Sequence, residues 1–193
     1  ENVKLSDFAR REILALRQNL ITKVMEYEKD VIYKKYEHKI GELITGEVNQ
    51  VFKKEILVHD EDDVELVLPR SEQIPADKYK KGDTLTAVVA RVDVNSSTPR
   101  ITISRTSPQF LERLMETEIP EVYDGLITIK NVVRTPGERA KVLVESYDDR
   151  IDPVGACVGM KGSRIHSIVR ELRNENIDVI NYTSNTSLLI SRA

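Results

Sequence analysis

Residues 6 to 40 carry apolar side chains at helical spacing, which places them on one stripe of a helix. The members of this stripe recur every three or four residues: Ile13, Leu16, Leu20, Val24, Tyr27 and Val31. Ser6 and Asp7 are candidate N-caps, and neither glycine nor proline interrupts the segment before Gly41. We predict one long helix or two in series. The stripe needs a partner, which is the following domain, a protein-binding domain of which this is only a part, or a mixture of both.

From Gly46 the pattern changes to alternating and β-branched runs, which is typical of strands. Four such segments are separated by turn-forming residues: GEVNQVFKKEILVHD, DVELVLPRSEQI, DTLTAVVARVDV and PRITISR. About five short strands in roughly 60 residues favour a small closed barrel of the OB type over a larger sandwich. The polar segment LPRSEQIPADKYKKGD predicts a short helical turn and a loop between the third and fourth strands.

After residue 105 the pattern changes again, to helix, strand, strand, helix, helix, strand. The first helix, in SPQFLERLMETEIPEV, starts with Ser-Pro and is stopped by Pro120. GLITIKNVVR and AKVLVESY are predicted strands around the turn TPGER, and DPVGACVG and SRIHSIVRELRNE are predicted helices. IDVINYT and SLLISRA are expected to supply closing strand material. We predict an α+β unit over residues 106–193, after a helix over residues 1–40 and a barrel over residues 41–105.

Composition excludes several classes of protein. The chain is 40% hydrophobic and 32% charged, which is typical of a folded globular protein. Its apolar runs are too short to cross a bilayer and its N-terminus lacks a secretory signal, so we expect a cytoplasmic protein without membrane contact. Cys157 is the single cysteine, which rules out an internal disulfide and a Cys-rich zinc site. The first residue is Glu, which suggests a processed or excised piece. A net charge of −3 means that any polyanion must be held by local geometry.

The most informative local motif is Gly159-Met160-Lys161-Gly162, between two predicted helices. A P-loop would need a preceding strand and a Gly-Lys-Ser/Thr ending, and a dinucleotide fingerprint would need the first strand of a parallel unit. A helix-GxxG-helix turn instead lets a sugar-phosphate backbone approach peptide N–H groups, while Lys161 and Arg164 neutralise its charge. We also expect Ser163 to cap the second helix. The alternative is a tight turn with incidental basic residues; the element order favours the clamp.

Four stretches together resemble the NusA family of bacterial transcription elongation, termination and antitermination factors. DPVGACVGMKGSRIHSIVREL with EIPEVYDGLITIKNVVRTPGERAKVLV is similar to the family's first KH domain, and GEVNQVFKKEILV to its S1-type OB domain. SDFARREILALRQNLITKV is similar to its linking helix. The resemblance implies a long helix, a five-stranded OB barrel and a type II (prokaryotic) KH domain. It implies no catalysis, cofactor or metal.

The resemblance also implies partners and site residues. The expected partners are single-stranded nascent RNA and, mainly through a missing N-terminal part, RNA polymerase and other elongation factors, with effects on pausing, termination and antitermination. A monomer is the default. A second KH domain is also missing, so we expect weak RNA binding. The residues that match as RNA contacts are Gly159, Lys161, Gly162, Ser163 and Arg164, with Met160 at a position that often holds proline in the family.

Other candidate residues have plainer alternatives. Phe52 is either a base-stacking platform of the barrel or a barrel core residue, and Arg70 is a candidate phosphate contact. Cys157 is expected to be an inert packed residue and not a nucleophile. The acidic run at residues 60–63 is expected to be a hairpin turn and not a calcium loop. Two other functions stay open: a protein-interaction scaffold with a vestigial KH domain, and an accessory RNA-binding part of an exoribonuclease.

Overall fold

The structure is a computed structural model that describes residues 9–94, 99–148 and 150–192. It contains one long helix, a closed barrel and an α+β domain, in the predicted order. The helices are α1 Arg10–Glu37, α2 Pro108–Glu118, α3 Pro120–Tyr123, α4 Pro153–Val158, α5 Ser163–Glu171 and α6 Thr186–Arg192. The strands are β1 Leu43–Val51, β2 Glu55–His59, β3 Glu65–Pro69, β4 Thr84–Asp93, β5 Arg100–Ser104, β6 Ile127–Thr135, β7 Arg139–Ser146 and β8 Asn176–Asn181.

Helix α1 is one continuous helix that contacts the barrel near its C-terminal end. Tyr36 is fully buried there, and its hydroxyl donates a hydrogen bond to the Asp60 carboxylate. Burial and this carboxylate raise the pKa of Tyr36 above its ordinary value. The predicted stripe is not covered along most of the helix, since Leu20 is 65% and Tyr27 72% exposed. The candidate caps Ser6 and Asp7 lie outside the described residues, and the N-cap position is held by Ala9.

The five barrel strands close in the order β1-β2-β3-β5-β4. The β3–β5 pair is parallel and every other pair is antiparallel. Alternate positions fill the barrel with buried apolar side chains, as the strand pattern predicted: Val48, Ile56, Val58, Leu66, Leu68, Leu85, Ala87, Val89, Ile101 and Ile103. Gly46 allows β1 to approach β2 closely, because a Cβ atom there would lie 2.5 Å from the carbonyl oxygen of His59. The predicted helical turn is a short 3₁₀ turn, Arg70–Glu72.

The α+β domain packs helices α2 to α5 on the sheet β6-β7-β8. Strands β6 and β7 are antiparallel, whereas β7 and β8 are parallel, with β8 entered from the helix pair α4–α5. Helix α2 is capped by the Ser107 side chain, which accepts the Gln109 N–H at 3.2 Å. The barrel closes on itself, whereas this sheet ends laterally on β6 and β8 in the described part of the chain.

The prediction that SLLISRA contributes strand material is wrong, because residues 187–192 of this segment lie in α6. Asn185 begins the helix: its side-chain oxygen accepts the Leu188 N–H at 3.2 Å and its carbonyl accepts the Leu189 N–H at 2.9 Å. A run of adjacent apolar residues has no alternation, so it suits a helix as well as a strand.

The barrel and the α+β domain are joined by ion pairs of a buried arginine and by a shared apolar core. Ile74 and Val88 of the barrel belong to the same apolar cluster as Phe110 and Leu111 of α2. The Arg105 guanidinium is fully buried and lies 2.9 Å from an Asp77 carboxylate oxygen and 2.7 Å from one of Glu171. We call Arg105 with these two carboxylates the interdomain joint.

A second buried ion pair supports the joint from the α+β side. Arg134 pairs with both carboxylate oxygens of Glu175, at 2.7 and 2.9 Å, and both side chains are fully buried. Arg134 also donates to the carbonyl oxygens of Arg105 and Ser107. The chain segment between the two domains is therefore tied to the sheet of the second domain.

Candidate nucleic-acid interface

The GxxG loop folds back sharply between α4 and α5. Gly159, Lys161 and Gly162 all have left-handed backbone, with φ of 73°, 54° and 78°. Glycine adopts this region freely, whereas lysine seldom does. The two glycines thus explain why the chain can reverse direction within four residues.

The loop is open to solvent at its tip. The Met160 side chain is 88% exposed, and Lys161 and Ser163 are exposed as well. Within the described part of the chain, the Lys161 ammonium has no ion-pair or hydrogen-bond partner. A ligand can therefore approach the loop without displacing protein atoms from its tip.

Three peptide amides of the loop are already paired within the protein. The Gly159 N–H donates to the carbonyl oxygen of Gly155 at 2.9 Å, and the Gly162 N–H to that of Gly159 at 3.1 Å. The Ser163 N–H donates to the Met160 carbonyl oxygen. These three N–H groups are therefore engaged within the protein, which leaves the exposed Lys161 ammonium as a candidate group for a phosphate.

The prediction that Ser163 caps α5 is wrong. The N-cap position is Gly162, whose left-handed backbone precedes the helix, and Ser163 already has helical angles of −59° and −40°. Among the residues that the structure describes, no side-chain hydrogen bond caps this helix. A capping side chain must come from a residue just outside the helix, and here that residue is glycine.

Arg164 is tied to the protein on one side of its guanidinium. Its Nη1 donates to a Glu121 carboxylate oxygen at 2.7 Å and to the Ala156 carbonyl oxygen at 2.8 Å, and its side chain is 33% exposed. Burial would raise the pKa of Glu121, but a backbone N–H and the Arg164 guanidinium outweigh that effect and lower the pKa. The carboxylate is therefore ionised at neutral pH, as an ion pair requires.

The two loop glycines each lie under a neighbouring side chain. A Cβ atom on Gly159 would lie 2.9 Å from Cγ of Arg164, and one on Gly162 would lie 2.8 Å from Nδ1 of His166. His166 also hydrogen-bonds through Nδ1 to the Gly162 carbonyl oxygen at 2.6 Å. The sequence did not reveal the parts played by Glu121 and His166. Glu121 is 43 residues from Arg164, and His166 carried no signal beyond its place one turn into the helix.

Cys157 is buried behind the loop, as predicted. Its side chain belongs to the apolar cluster of the α+β domain. Burial and the nearby Glu121 carboxylate raise the pKa of the Cys157 thiol to about 12. The thiol therefore stays protonated at neutral pH and is a poor nucleophile.

A second basic surface lies at one end of the barrel. Phe52, in the β1–β2 hairpin, is 51% exposed, so the alternative that it is a core residue is wrong. The Arg70 N–H donates to the Lys54 carbonyl oxygen at 2.8 Å, which brings Arg70 to the same end of the barrel as the hairpin. We call these exposed residues, Phe52, Lys53, Lys54 and Arg70, the hairpin patch. The structure thus places the predicted residues on two surfaces in different domains.

The acidic run forms the predicted hairpin turn between β2 and β3. One carboxylate oxygen of Asp60 accepts the N–H groups of Asp62 and Val64, at 3.0 and 2.9 Å. Among the described residues, no group of three or more His, Cys, Asp or Glu side chains is arranged to hold a metal ion. None of the described helices is long and apolar enough to cross a membrane.

An OB barrel joined to an α+β domain of the order α2-α3-β6-β7-α4-α5-β8-α6, with an exposed GxxG loop between α4 and α5, defines the class of proteins that combine OB and KH domains. Residues 37–104 match the S1 RNA binding domain family, and residues 105–182 match the NusA-like first KH domain family. The chain belongs to the NusA family.

Whole-chain relatives agree with these domain matches. The chain is 37% identical over 187 residues to the Transcription termination/antitermination protein NusA of Bacillus subtilis (strain 168). It is 38% identical to the protein of that name from Halalkalibacterium halodurans and 36% identical to that from Thermus thermophilus. Each match covers 97% of this chain and 50%, 49% and 48%, respectively, of the relative. The chain therefore spans about half the length of the curated relatives it matches.

Proposed function

We propose that this chain is the RNA-binding part of a bacterial transcription factor, which holds single-stranded nascent RNA at the loop formed by residues 159–164. In the whole protein it acts with RNA polymerase and other elongation factors on pausing, termination and antitermination, in the cytoplasm and without catalysing a reaction. The names of the relatives support the role in transcription. The proposed units are the helix over 1–40, the barrel over 41–105 and the KH domain over 106–193.

The observation that carries this proposal is the exposed, left-handed GxxG loop, at whose tip Lys161 has no partner among the described residues. The positive φ angles that Gly159 and Gly162 adopt form a sharp turn whose exposed tip a sugar-phosphate backbone can approach. Lys161 supplies the positive charge for a phosphate, Met160 an apolar contact for a ribose or base, and Ser163 a hydroxyl. Arg164 contributes to the same site.

The hairpin patch supplies a second RNA contact in this proposal. An exposed aromatic ring beside basic side chains suits stacking of an unpaired base with its phosphate nearby. Phe52 would stack on the base, and Arg70 would contact the phosphate. Aromatic residues make up only 5% of the chain, so the stacking contribution is small and the KH loop dominates.

The exposed apolar stripe of α1 supports a protein partner in addition to RNA. Its uncovered side chains include Leu20, Val24 and Tyr27. RNA polymerase is the partner that the relatives' role in transcription favours. In this proposal the chain binds a protein through α1 and RNA through the loop. In the scaffold alternative it would bind only the protein.

Titration of short single-stranded RNAs by fluorescence anisotropy tests the proposal. Lys161→Glu should weaken binding about tenfold or more, because it replaces a charge-assisted contact by repulsion. The matched control is Lys34→Glu, which makes the same charge change at an exposed position in the last turn of α1. We expect little effect from the control.

The dependence on salt gives a second readout of the same experiment. With two to four phosphate contacts, the slope of log K against log salt should be roughly −1.4 to −2.8 for a single strand. Undiminished RNA binding by Lys161→Glu would instead support the scaffold function. Equal weakening by both variants would assign binding to overall charge and contradict a site at the loop.

A further inference from the structure

We propose that the Glu121–Arg164 ion pair positions the RNA-binding loop, and that Arg164 acts on RNA through the loop's conformation and not as a phosphate contact. This inference rests on the proposed function and reassigns one residue within it. Arg164 and Glu121 are thus positioning residues for the groups that meet the RNA.

The contacts of Arg164 connect the two helices that border the loop with helix α3. Its guanidinium joins Glu121, on α3, to the carbonyl oxygen of Ala156, near the C-terminal end of α4. Its own backbone lies in the first turn of α5. A cation is favoured beside the last carbonyl groups of a helix, which adds to the attraction of the carboxylate. One side chain therefore holds α3, α4 and α5 together around the loop.

The stem of Arg164 also lies directly against the loop backbone. Its Cβ, Cγ and Cδ atoms would be 3.2, 2.9 and 3.1 Å from a Cβ atom on Gly159. Only a residue without a side chain leaves room for this packing. The absence of a side chain at Gly159 thus makes room for the Arg164 stem.

The loop needs contacts that fix its conformation, because the backbone angles of Lys161 are unfavourable for a residue with a side chain. Lys161 has a φ of 54°, a conformation that a lysine keeps only when surrounding contacts fix it. The exposed Lys161 side chain makes no such contact in the described part of the chain, so the fixing groups must lie on either side of the loop. Arg164 lies on one side, and its grip on Glu121 and Ala156 sets its position.

The opposing view, that Arg164 contacts a phosphate directly, predicts an effect of the opposite sign. If Glu121 merely competes with RNA for Arg164, then Glu121→Gln frees the guanidinium and removes a negative charge near the polyanion, so affinity should rise. If Glu121 positions Arg164, the same change loosens the loop and affinity should fall, although the protein has become less acidic.

The experiment compares Glu121→Gln and Arg164→Gln with Glu116→Gln in the otherwise unchanged chain. Glu116 provides the matched control, because it pairs at 2.6 Å with Arg113 on the exposed face of α2 in the same domain. We expect Glu121→Gln to weaken RNA binding about 2- to 30-fold, the range for residues that act through a network. The control should bind as the unmodified chain does, or slightly more tightly.

Two further readouts separate positioning from direct contact and from general destabilisation. The salt slope of Arg164→Gln should equal that of the unmodified chain, whereas loss of a direct phosphate contact would reduce it by about 0.7. The amide NMR resonances of Gly159 and Gly162 should shift in both variants, while that of Gly46 in the barrel stays in place.

Each outcome decides the inference. Unchanged or tighter RNA binding by Glu121→Gln, or a reduced salt slope for Arg164→Gln, would overturn it. The glycine resonances are read without RNA, so unmoved resonances also overturn it. A failure of the unmodified chain to bind any RNA, with shifted resonances in the variants, would contradict the proposed function and leave the positioning of the loop by this ion pair established.

Discussion

At the scale of single residues, the shape of the GxxG loop depends on its glycines, which have no side chain. Gly159 combines a left-handed backbone with close contact to Arg164, whereas Gly82 has a φ of 90° with no atom within 4 Å of the position where its Cβ would be. Both residues use the conformational freedom of glycine. Only Gly159 also needs its small size. An alanine at Gly82 would therefore introduce backbone strain alone, whereas an alanine at Gly159 would introduce backbone strain and steric overlap.

We predict that Gly159→Ala destabilises the chain more than Gly82→Ala. Each substitution costs about 1–2 kcal/mol for an alanine in left-handed backbone. Gly159→Ala should cost about 1–3 kcal/mol more, because the new methyl group overlaps the Arg164 stem. Urea denaturation measures both free energies of unfolding. Equal losses would show that the Arg164 side chain moves aside freely.

Several residues that matter most could not be recognised at this scale from the sequence. Arg105, Arg134 and Glu175 are charged, and charged residues are normally exposed, yet all three side chains are fully buried. Their partners lie tens of positions away along the chain, so no spacing rule connects them. The hydrophobic pattern shows which face of a helix or strand is buried, but it does not show which charged residues form buried ion pairs.

At the scale of elements, the hydrophobic pattern predicted the order and type of almost every helix and strand. It predicted the barrel strands because alternation requires one face to be buried, and it predicted the loop because glycines interrupt two helical segments. It failed where a helix start depends on backbone angles: Gly162 holds the N-cap position that Ser163 was expected to hold. It failed again at α6, where a short apolar run fits either element.

The two serines at helix starts allow a matched prediction. Ser107→Ala should lower the free energy of unfolding by about 0.5–2 kcal/mol, because it removes the cap of α2. Ser163→Ala should leave the free energy of unfolding within about 0.5 kcal/mol, since this exposed side chain makes no cap. Thermal unfolding followed by circular dichroism compares the two directly. A larger loss at Ser163 would restore the capping role that the structure removes.

At the scale of the whole molecule, we expect the interdomain joint to make the barrel and the KH domain unfold as one cooperative unit. Asp77 receives Arg105 and also Arg173, at 2.9 Å each, and its side chain is fully buried. Its carboxylate additionally accepts the Ile74 N–H at 3.1 Å. Loss of its charge would leave the Arg105 guanidinium buried with fewer partners, which is far more costly than loss of an exposed pair.

We predict that Asp77→Asn lowers the free energy of unfolding by about 3–5 kcal/mol. Asp62→Asn, which removes the exposed partner of Lys35, should change it by less than about 1 kcal/mol. Calorimetry should give one unfolding transition for the unmodified chain and two for Asp77→Asn, as the domains lose their coupling. A single, unshifted transition in Asp77→Asn would contradict a joint that couples the domains.

The closed barrel and the open three-stranded sheet expose the molecule to self-association unequally. In a closed barrel every strand has a neighbour on both sides, whereas β6 and β8 border their sheet in the described part of the chain. Unsatisfied backbone groups on a border strand are templates for a strand of another molecule. Any fibril or strand-exchanged dimer of this chain should therefore form through the border strands of the KH domain. Lys130 on β6 and Asp178 on β8 are charged side chains that disfavour the pairing of these strands with another molecule.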